Sequence, residues 1–331
     1  MQVIKPSYYD EFRCLAGACP DSCCHEWAVV VDDRSAARYR ALEGELGQAL
    51  RAAMQEEDGD IILTLRPDGR CPMWRDDGLC RIQAQLGEVA LCQTCSQFPR
   101  LQHDYGDFLE LGLELSCPEA ARLILTGDHS LCVSQVPGGD EPDYNRDAMS
   151  ILLDSRQQAL RLLSEYDLPH ALALLLLYAH RVQAQLDGGD PAVLDHAASL
   201  ESLRSFAFAP GGDLFDLCKG LNILTKRWRE RLERPLGSQW QDVHRRIAVY
   251  FVERYWLQAV SDGDLISRAK LVIFSCLVIK ALGGDAEQTA QLYSKEIEND
   301  AENVDAILDG AYNSPALTDA NLLHLLLEDT L

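Results

Sequence analysis

Cysteine placement constrains this chain more than any other feature of its sequence. Nine of its twelve cysteines fall between positions 14 and 117: Cys14, Cys19, Cys23, Cys24, Cys71, Cys80, Cys92, Cys95 and Cys117. Only Cys132, Cys218 and Cys276 lie beyond. Three chemistries compete to explain such crowding. Disulfides belong to oxidising compartments and small secreted domains, and the adjacent Cys23 and Cys24 make an awkward bridge. Thiol redox chemistry is the second, at Cys92-Gln-Thr-Cys95. A redox pair of that spacing usually opens a helix after a strand, whereas helical-looking sequence precedes this one. Metal is the third, because thiols close in sequence converge on a soft metal centre.

The spacing favours metal. Cys14, Cys19, Cys23 and Cys24 put four thiols within eleven residues. Zinc usually announces itself as two C-x-x-C pairs 12 to 20 residues apart, and here there is one such pair. A cysteine doublet serves a cluster better, since separate irons accept separate thiolates. Proline follows Cys19, Cys71 and Cys117, and cysteine–proline pairs are familiar beside iron–sulfur clusters. A [4Fe-4S] cluster is therefore expected, with zinc as the alternative.

The 331 residues suggest about two domains. Hydrophobic residues at 47% and charged residues at 25% are those of a globular chain. A net charge of −22 repels phosphate backbones and anionic lipid, so neither nucleic acid nor a membrane is an expected partner. The longest apolar run, 171–179, is far short of the ~20 residues a spanning helix needs. The N-terminus, MQVIKPSYYDEF, carries no apolar stretch of signal-peptide length, so a cytoplasmic protein is expected.

Periodicity predicts an α+β, mostly α fold. Residues 1–132 read as a small cysteine-rich α+β domain, 133–143 as a linker rich in Pro, Gly and acids, and 144–331 as an all-α domain. Residues 1–30 look irregular, with a short strand at 29–31. A helix capped at Asp32–Ser35 runs on through Leu50, and 60–66 reads as a strand. A short helix follows at 80–91. Residues 107–115 alternate and pair with 101–105 as a hairpin, and Pro118 opens a helix. Beyond the linker, amphipathic helices are expected at 144–166, 169–185, 191–206, 214–232, 240–259, 264–282 and 286–309. Nine Asp or Glu and no Lys or Arg follow Lys295, which reads as a solvated acidic surface or a docking face for a basic partner.

Three stretches, PSYYDEFRCLAGACPDSCCHEWAVVVDD, DGRCPMWRDDGLCRIQAQLGEVALCQTCSQFPR and LELSCPEAARLIL, together resemble the flagellin lysine-N-methylase family. The resemblance covers roughly residues 6–126. It implies an S-adenosylmethionine-dependent methyltransferase acting on lysines of flagellin, a component of the bacterial flagellum, with an iron–sulfur cluster held by some of the nine cysteines. A related, broader group with a cysteine doublet chelates zinc or iron. A non-enzymatic zinc- or iron-binding protein whose helices dock a partner is therefore the alternative.

Methyl transfer to lysine needs a neutral amine and an aligned donor. Tyr8, Tyr9, Glu114 and Glu119 are the candidate catalytic residues, because a tyrosinate or carboxylate takes the ammonium proton. Trp27 is a candidate for stacking on the donor, and Arg100 for gripping its carboxylate. The plainer reading of each is a core aromatic or a helix-end charge. No glycine-rich nucleotide turn follows a strand, so the donor site is not expected on a Rossmann sheet. His170 and His180 read as core histidines, and Cys218 and Cys276 as small buried hydrophobes.

Overall fold

The computed structural model describes residues 1–57, 59–205 and 210–328, without the side chains of 204 and 205. Among them, seven short strands form two small sheets: β1 (Gln2–Pro6), β2 (Val29–Val30), β3 (Met54–Glu57), β4 (Asp60–Leu63), β5 (Arg100–Asp104), β6 (Phe108–Leu113) and β7 (Leu131–Gln135). The expected hairpin is there. β5 and β6 pair antiparallel, with Asp104 opposite Leu109, around Gly106 at φ 84°. That left-handed backbone suits glycine.

What the sequence did not signal is the rest of that sheet, ordered β5-β6-β1-β7. β1 lies in the stretch expected to be irregular, parallel to β6 and antiparallel to β7. The segment expected as a linker begins within β7 and stays tied down. The Asp140 amide donates to the Gly106 carbonyl at 3.0 Å, and the N-terminal amine donates to the carbonyls of Val136 and Gly138. The second sheet, β2-β4-β3, is antiparallel throughout.

Five helices thread the sheets: α1 (Asp33–Ala41), α2 (Gly44–Ala53), α3 (Arg81–Leu86), α4 (Gln93–Gln97) and α5 (Pro118–Thr126). One long helix was expected where α1 and α2 stand. It breaks because Gly44 turns left-handed at φ 80°, and Arg51 donates to the carbonyls of Arg40 and Leu42 that the break leaves open. Asp32 caps α1 through the Ser35 amide, as expected, and its second oxygen accepts from Gln93 at the start of α4.

Ten helices follow: α6 (Arg146–Glu165), α7 (Leu168–Leu186), α8 (His196–Ser205), α9 (Leu214–Lys219), α10 (Lys226–Glu233), α11 (Asp242–Tyr255), α12 (Leu265–Leu282), α13 (Ala286–Tyr293), α14 (Ala301–Asn313) and α15 (Asp319–Leu327). The expected helix at 214–232 is split into α9 and α10, because Thr225 caps α10 while Glu296 accepts from the amides of Leu224 and Thr225. The one expected at 286–309 is interrupted by a π-helical turn, Ser294–Glu298, before Asp300 caps α14. α12 is buried on nearly every face, packed by α7, α11, α13 and α14.

Two hydrophobic cores result. The larger joins Tyr8, Phe12, β6 and α5 to the C-terminal helices without a break. The smaller gathers Val29, Val31, Tyr39, Leu50, Leu63, Met73 and Ile82, and includes Cys71 and Cys92. The acidic C-terminal stretch is not uniformly solvated. Glu296 is fully buried, and Glu298 accepts from Tyr255 at 2.9 Å and pairs with Arg254 at 3.1 Å.

Candidate metal centre

The nine clustered cysteines reach one region from four segments: the loop before β2, the loop before α3, the start of α4 and the start of α5. The Cys14–Cys24 loop follows a 3-10 turn at Ser7–Glu11 and carries another at Ala16–Ala18. Its far end is tied to the second loop: the Cys71 amide donates to the Cys24 carbonyl at 2.7 Å, and His25 bridges Arg70. Trp27 donates its indole N–H to the Cys23 carbonyl at 2.7 Å and tilts against Phe98. The loop after Cys71 is held by Arg66, which donates to the carbonyls of Pro72 and Trp74. The turn before Cys92 is held by Arg38, which donates to the carbonyls of Val89, Ala90 and Leu91.

Three of the cysteines occupy N-cap positions: Cys80 before α3, Cys92 before α4 and Cys117 before α5. Free amides of a first turn favour a thiolate there. They are not the largest influence. Burial pushes the Cys117 thiol up to about 12, against the pull of the Glu119 and Ala120 amides. Burial likewise raises Cys80 and Cys19. Cys23 is drawn down to about 7, chiefly by the neighbouring Cys24 thiol, and Cys92 down to about 7 by Cys95. Cys24, set between Cys23 and Cys71, is pushed up by both and by burial.

All twelve cysteines are free thiols. Seven of the nine line one solvent-connected cavity of about 500 Å³: Cys14, Cys19, Cys23, Cys24, Cys80, Cys95 and Cys117. Cys71 and Cys92 stand behind its wall. Among the described residues, no group of three His, Cys, Asp or Glu side chains already has the arrangement of a single metal-ion site. Phe12, Leu15, Trp74, Leu79 and Phe98 form apolar walls, while Arg13, Arg100, Asp21, Glu88 and Glu119 supply the charges.

The other predicted site residues divide. Arg100 lines the cavity, its guanidinium 5.1 Å above the Phe12 ring. Glu119 lines it too, but Arg122 grips both its oxygens, at 2.7 and 2.9 Å, and holds its carboxyl below the usual range. Trp27 braces the cysteine loop from outside the lining. Tyr8 is 2% exposed in the large core, edge-on to His129. Tyr9 is half-buried beneath Lys5, and burial raises its hydroxyl. Glu114 is buried beside Arg254 at 3.7 Å, and burial pushes its carboxyl up to about 7.

Sequence reasoning missed the clamp that fixes the first loop. Lys295 Nζ, 6% exposed, lies 3.3 Å from Asp21 and 3.1 Å from Glu26. Gln291 donates to Asp21 at 2.9 Å and to the Ser116 carbonyl at 2.7 Å. Some 270 residues separate the partners, and no local pattern reports such contacts. Of the residues read as structural, Cys218 and Cys276 are fully buried, whereas His170 and His180 sit beside Asp167 and Asp319 at part-exposed positions.

Fold and site together define a class: a cysteine-rich α+β protein whose thiols converge from separate loops on one cavity. Lysine-N-methylases of Salmonella choleraesuis (strain SC-B67) and Salmonella typhimurium (strain LT2) are each 32% identical to this chain over 145 residues, 40% of this chain and 35% of theirs. The flagellar biosynthetic protein FliU of Salmonella muenchen is 31% identical over 145 residues, 82% of its own length. The chain belongs to the flagellin lysine-N-methylase family. It is matched to about a third of the length of the two lysine-N-methylases. No family profile matches the chain, and no solved structure does. No helix among the described residues is long and apolar enough to cross a membrane.

Proposed function

We propose that this chain N-methylates lysine side chains of flagellin with S-adenosylmethionine as methyl donor, and that thiolates of its N-terminal cysteines hold a [4Fe-4S] cluster. The observation that carries the reading is the convergence of thiols from four segments of the chain on one cavity in a member of this family. Thiolate is the donor iron–sulfur clusters take, and the cavity wall offers more than the four required. Bound there, the cluster supplies electron-transfer capacity and the donor supplies the methyl group.

The chain's own residues bind and orient. Arg100 and Arg13 offer the cavity two guanidiniums suited to a donor's carboxylate. Trp74 and Phe98 offer aromatic faces beside them, and the ring of either stabilises a sulfonium. Asp21 and Glu119 on the lining are already paired with Lys295 and Arg122, and Glu88 offers a carboxylate to an approaching lysine ammonium. Arg122 holds Glu119 in its charged form, so Glu119 is not suited to proton transfer. Glu114 has the proton affinity of a base at neutral pH, yet it stands behind the wall beside Arg254.

The test is direct. Anaerobically purified protein, flagellin and S-adenosylmethionine are combined under reducing conditions, and flagellin peptides are read by mass spectrometry. One methylene mass added per methyl on lysines is expected. Unmodified lysines in the presence of cluster-loaded protein would exclude the proposed activity.

A further inference from the structure

We infer that the groove between α10 and α13 docks an acidic segment of a partner polypeptide. This surface shares no lining residue with the cysteine cavity, so the inference does not depend on what the cysteines bind.

The sequence concentrates cations here. Lys226, Arg227, Arg229, Arg231 and Arg234 put five of the chain's 30 Lys and Arg within nine residues, in a chain of net charge −22. A charged run on a helix is ordinarily a solvated face, balanced by carboxylates three or four residues away. Lys226 is balanced in that way, by Glu230 at 3.1 Å, whereas among the described residues Arg227, Arg229, Arg231 and Arg234 have no ion-pair partner.

The fold turns three of these arginines to one side. The helical period puts Arg227, Arg231 and Arg234 on one face, while Trp228 and Leu232 enter the core from another, at 0% and 3% exposure. All three line a groove of about 500 Å³, with Gln288, Thr289 and Leu292 of α13 across from them. Glu230 and Glu233 line it too, and Lys226 already neutralises Glu230.

Arg231 is fixed in place. It donates from Nη2 to the Gly283 carbonyl at 2.6 Å, at the end of α12. Gly283 and Gly284 both turn left-handed, at φ 67° and 78°, and a Cβ on Gly284 would run into the Arg231 guanidinium. The glycine pair that stops α12 is therefore also the seat of an arginine. The bond to Gly283 uses one N–H of the guanidinium and leaves the others for a ligand.

Guanidiniums take carboxylates as bidentate forks. Along the helix axis Arg227 and Arg231 stand about 6 Å apart, at ~1.5 Å per residue. Side chains two residues apart on an extended peptide point the same way and are about 6.6 Å apart. An extended segment with acids at alternate positions therefore matches the pair, and Gln288 offers its amide beside them. Nucleic acid is the poorer fit, because duplex DNA brings a charge every ~1.7 Å and the −22 of the chain opposes so dense a polyanion. A few carboxylates feel the arginines first, since more distant charge is screened beyond about 8 Å at physiological salt.

Fluorescence anisotropy on the intact chain tests this. The probe is a short labelled peptide of alternating Glu and Ser, and its Gln–Ser counterpart is the control. The Glu peptide should bind and the Gln peptide should not. Its affinity should fall about tenfold between about 50 and about 200 mM salt. Arg227 and Arg234 are exposed, so the double variant Arg227→Gln/Arg234→Gln should keep the wild-type circular dichroism while binding at least about tenfold more weakly. No binding of the Glu peptide, equal binding by the double variant, or tighter binding of a single-stranded oligonucleotide of the same charge would each overturn the inference.

Discussion

Lys295→Met is the perturbation that most sharply probes how the helices hold the cysteine loop. The Lys295 ammonium is 6% exposed and lies 3.1 Å from Glu26 and 3.3 Å from Asp21. At an effective dielectric of 20, each contact is worth about 5 kcal/mol of gross attraction. Desolvation of the ammonium cancels most of that. Removing one partner of a fully buried pair costs about 3–5 kcal/mol, because the other charge is stranded. Asp21 and Glu26 keep 29% and 28% of their side chains in contact with water, so they are partly relieved. That brings the expected loss to about 2–3 kcal/mol.

The loss should be local, since beyond this clamp the loop is tied at its far end, where Cys24 packs on the small core and its carbonyl accepts from the Cys71 amide. Amide hydrogen exchange of the metal-free, reduced protein reads it. At 1.4 kcal/mol per tenfold, amides of residues 19–26 should exchange about 30- to 150-fold faster, while α12 amides stay unchanged. Asp21→Asn should reproduce part of the effect, and the double variant should cost less than the sum of the two. Exchange at 19–26 within twofold of wild type would refute the reasoning, and the clamp would then be an incidental contact.

Three further expectations follow from the same structure. Cys218→Ser buries a hydroxyl at a fully buried site, so it should cost about 1–3 kcal/mol in urea unfolding while leaving metal content unchanged; a loss of metal would count against the split between clustered and structural cysteines. Gly283→Ala places a side chain at φ 67°, where its Cβ would run into the Gly237 backbone; a loss of more than about 1 kcal/mol by thermal unfolding is expected, and an unchanged melting temperature would contradict it. Burial alone would raise the Asp319 carboxyl, but hydrogen bonds from His180 and Lys270 outweigh it and hold the group at about 2, below the usual 3.8. A depressed folded value means stability that is present above about pH 4 and is lost as pH falls toward about 2. The gap in urea midpoint between wild type and Asp319→Asn should therefore close over that range, and a gap independent of pH would contradict the assignment.

The sequence reported local structure well and distant pairing poorly. The β5–β6 hairpin and the Pro118 helix were legible because alternation and an N1 proline act within a few residues. β1 was not, because its partners lie more than a hundred residues away and five residues carry little pattern. Helix breaks at 42–43 and 220–225 were hidden for a similar reason. Arg51 stabilises one, and Glu296, some seventy residues downstream, the other. At the site, cysteine spacing foretold convergence. It did not foretell which sulfurs join the small core, because burial is a property of the assembled fold. Glu119 was legible as helix-end charge, and the arginine three residues on was the available signal that it is held in a pair. Tyr8 and Glu114 have side chains that accept a proton and lie near the cysteines in sequence, but packing carries both away from the cavity lining.

The proposal on which the rest stands is that thiolates from four segments of the chain grip iron in one place. Anomalous diffraction at the iron edge, from crystals grown without oxygen, tests it most directly. A strong iron peak in the cavity, bonded to cysteine sulfurs drawn from more than one loop, is the predicted result. A cavity free of iron signal, or the same sulfurs joined as disulfides, would contradict it.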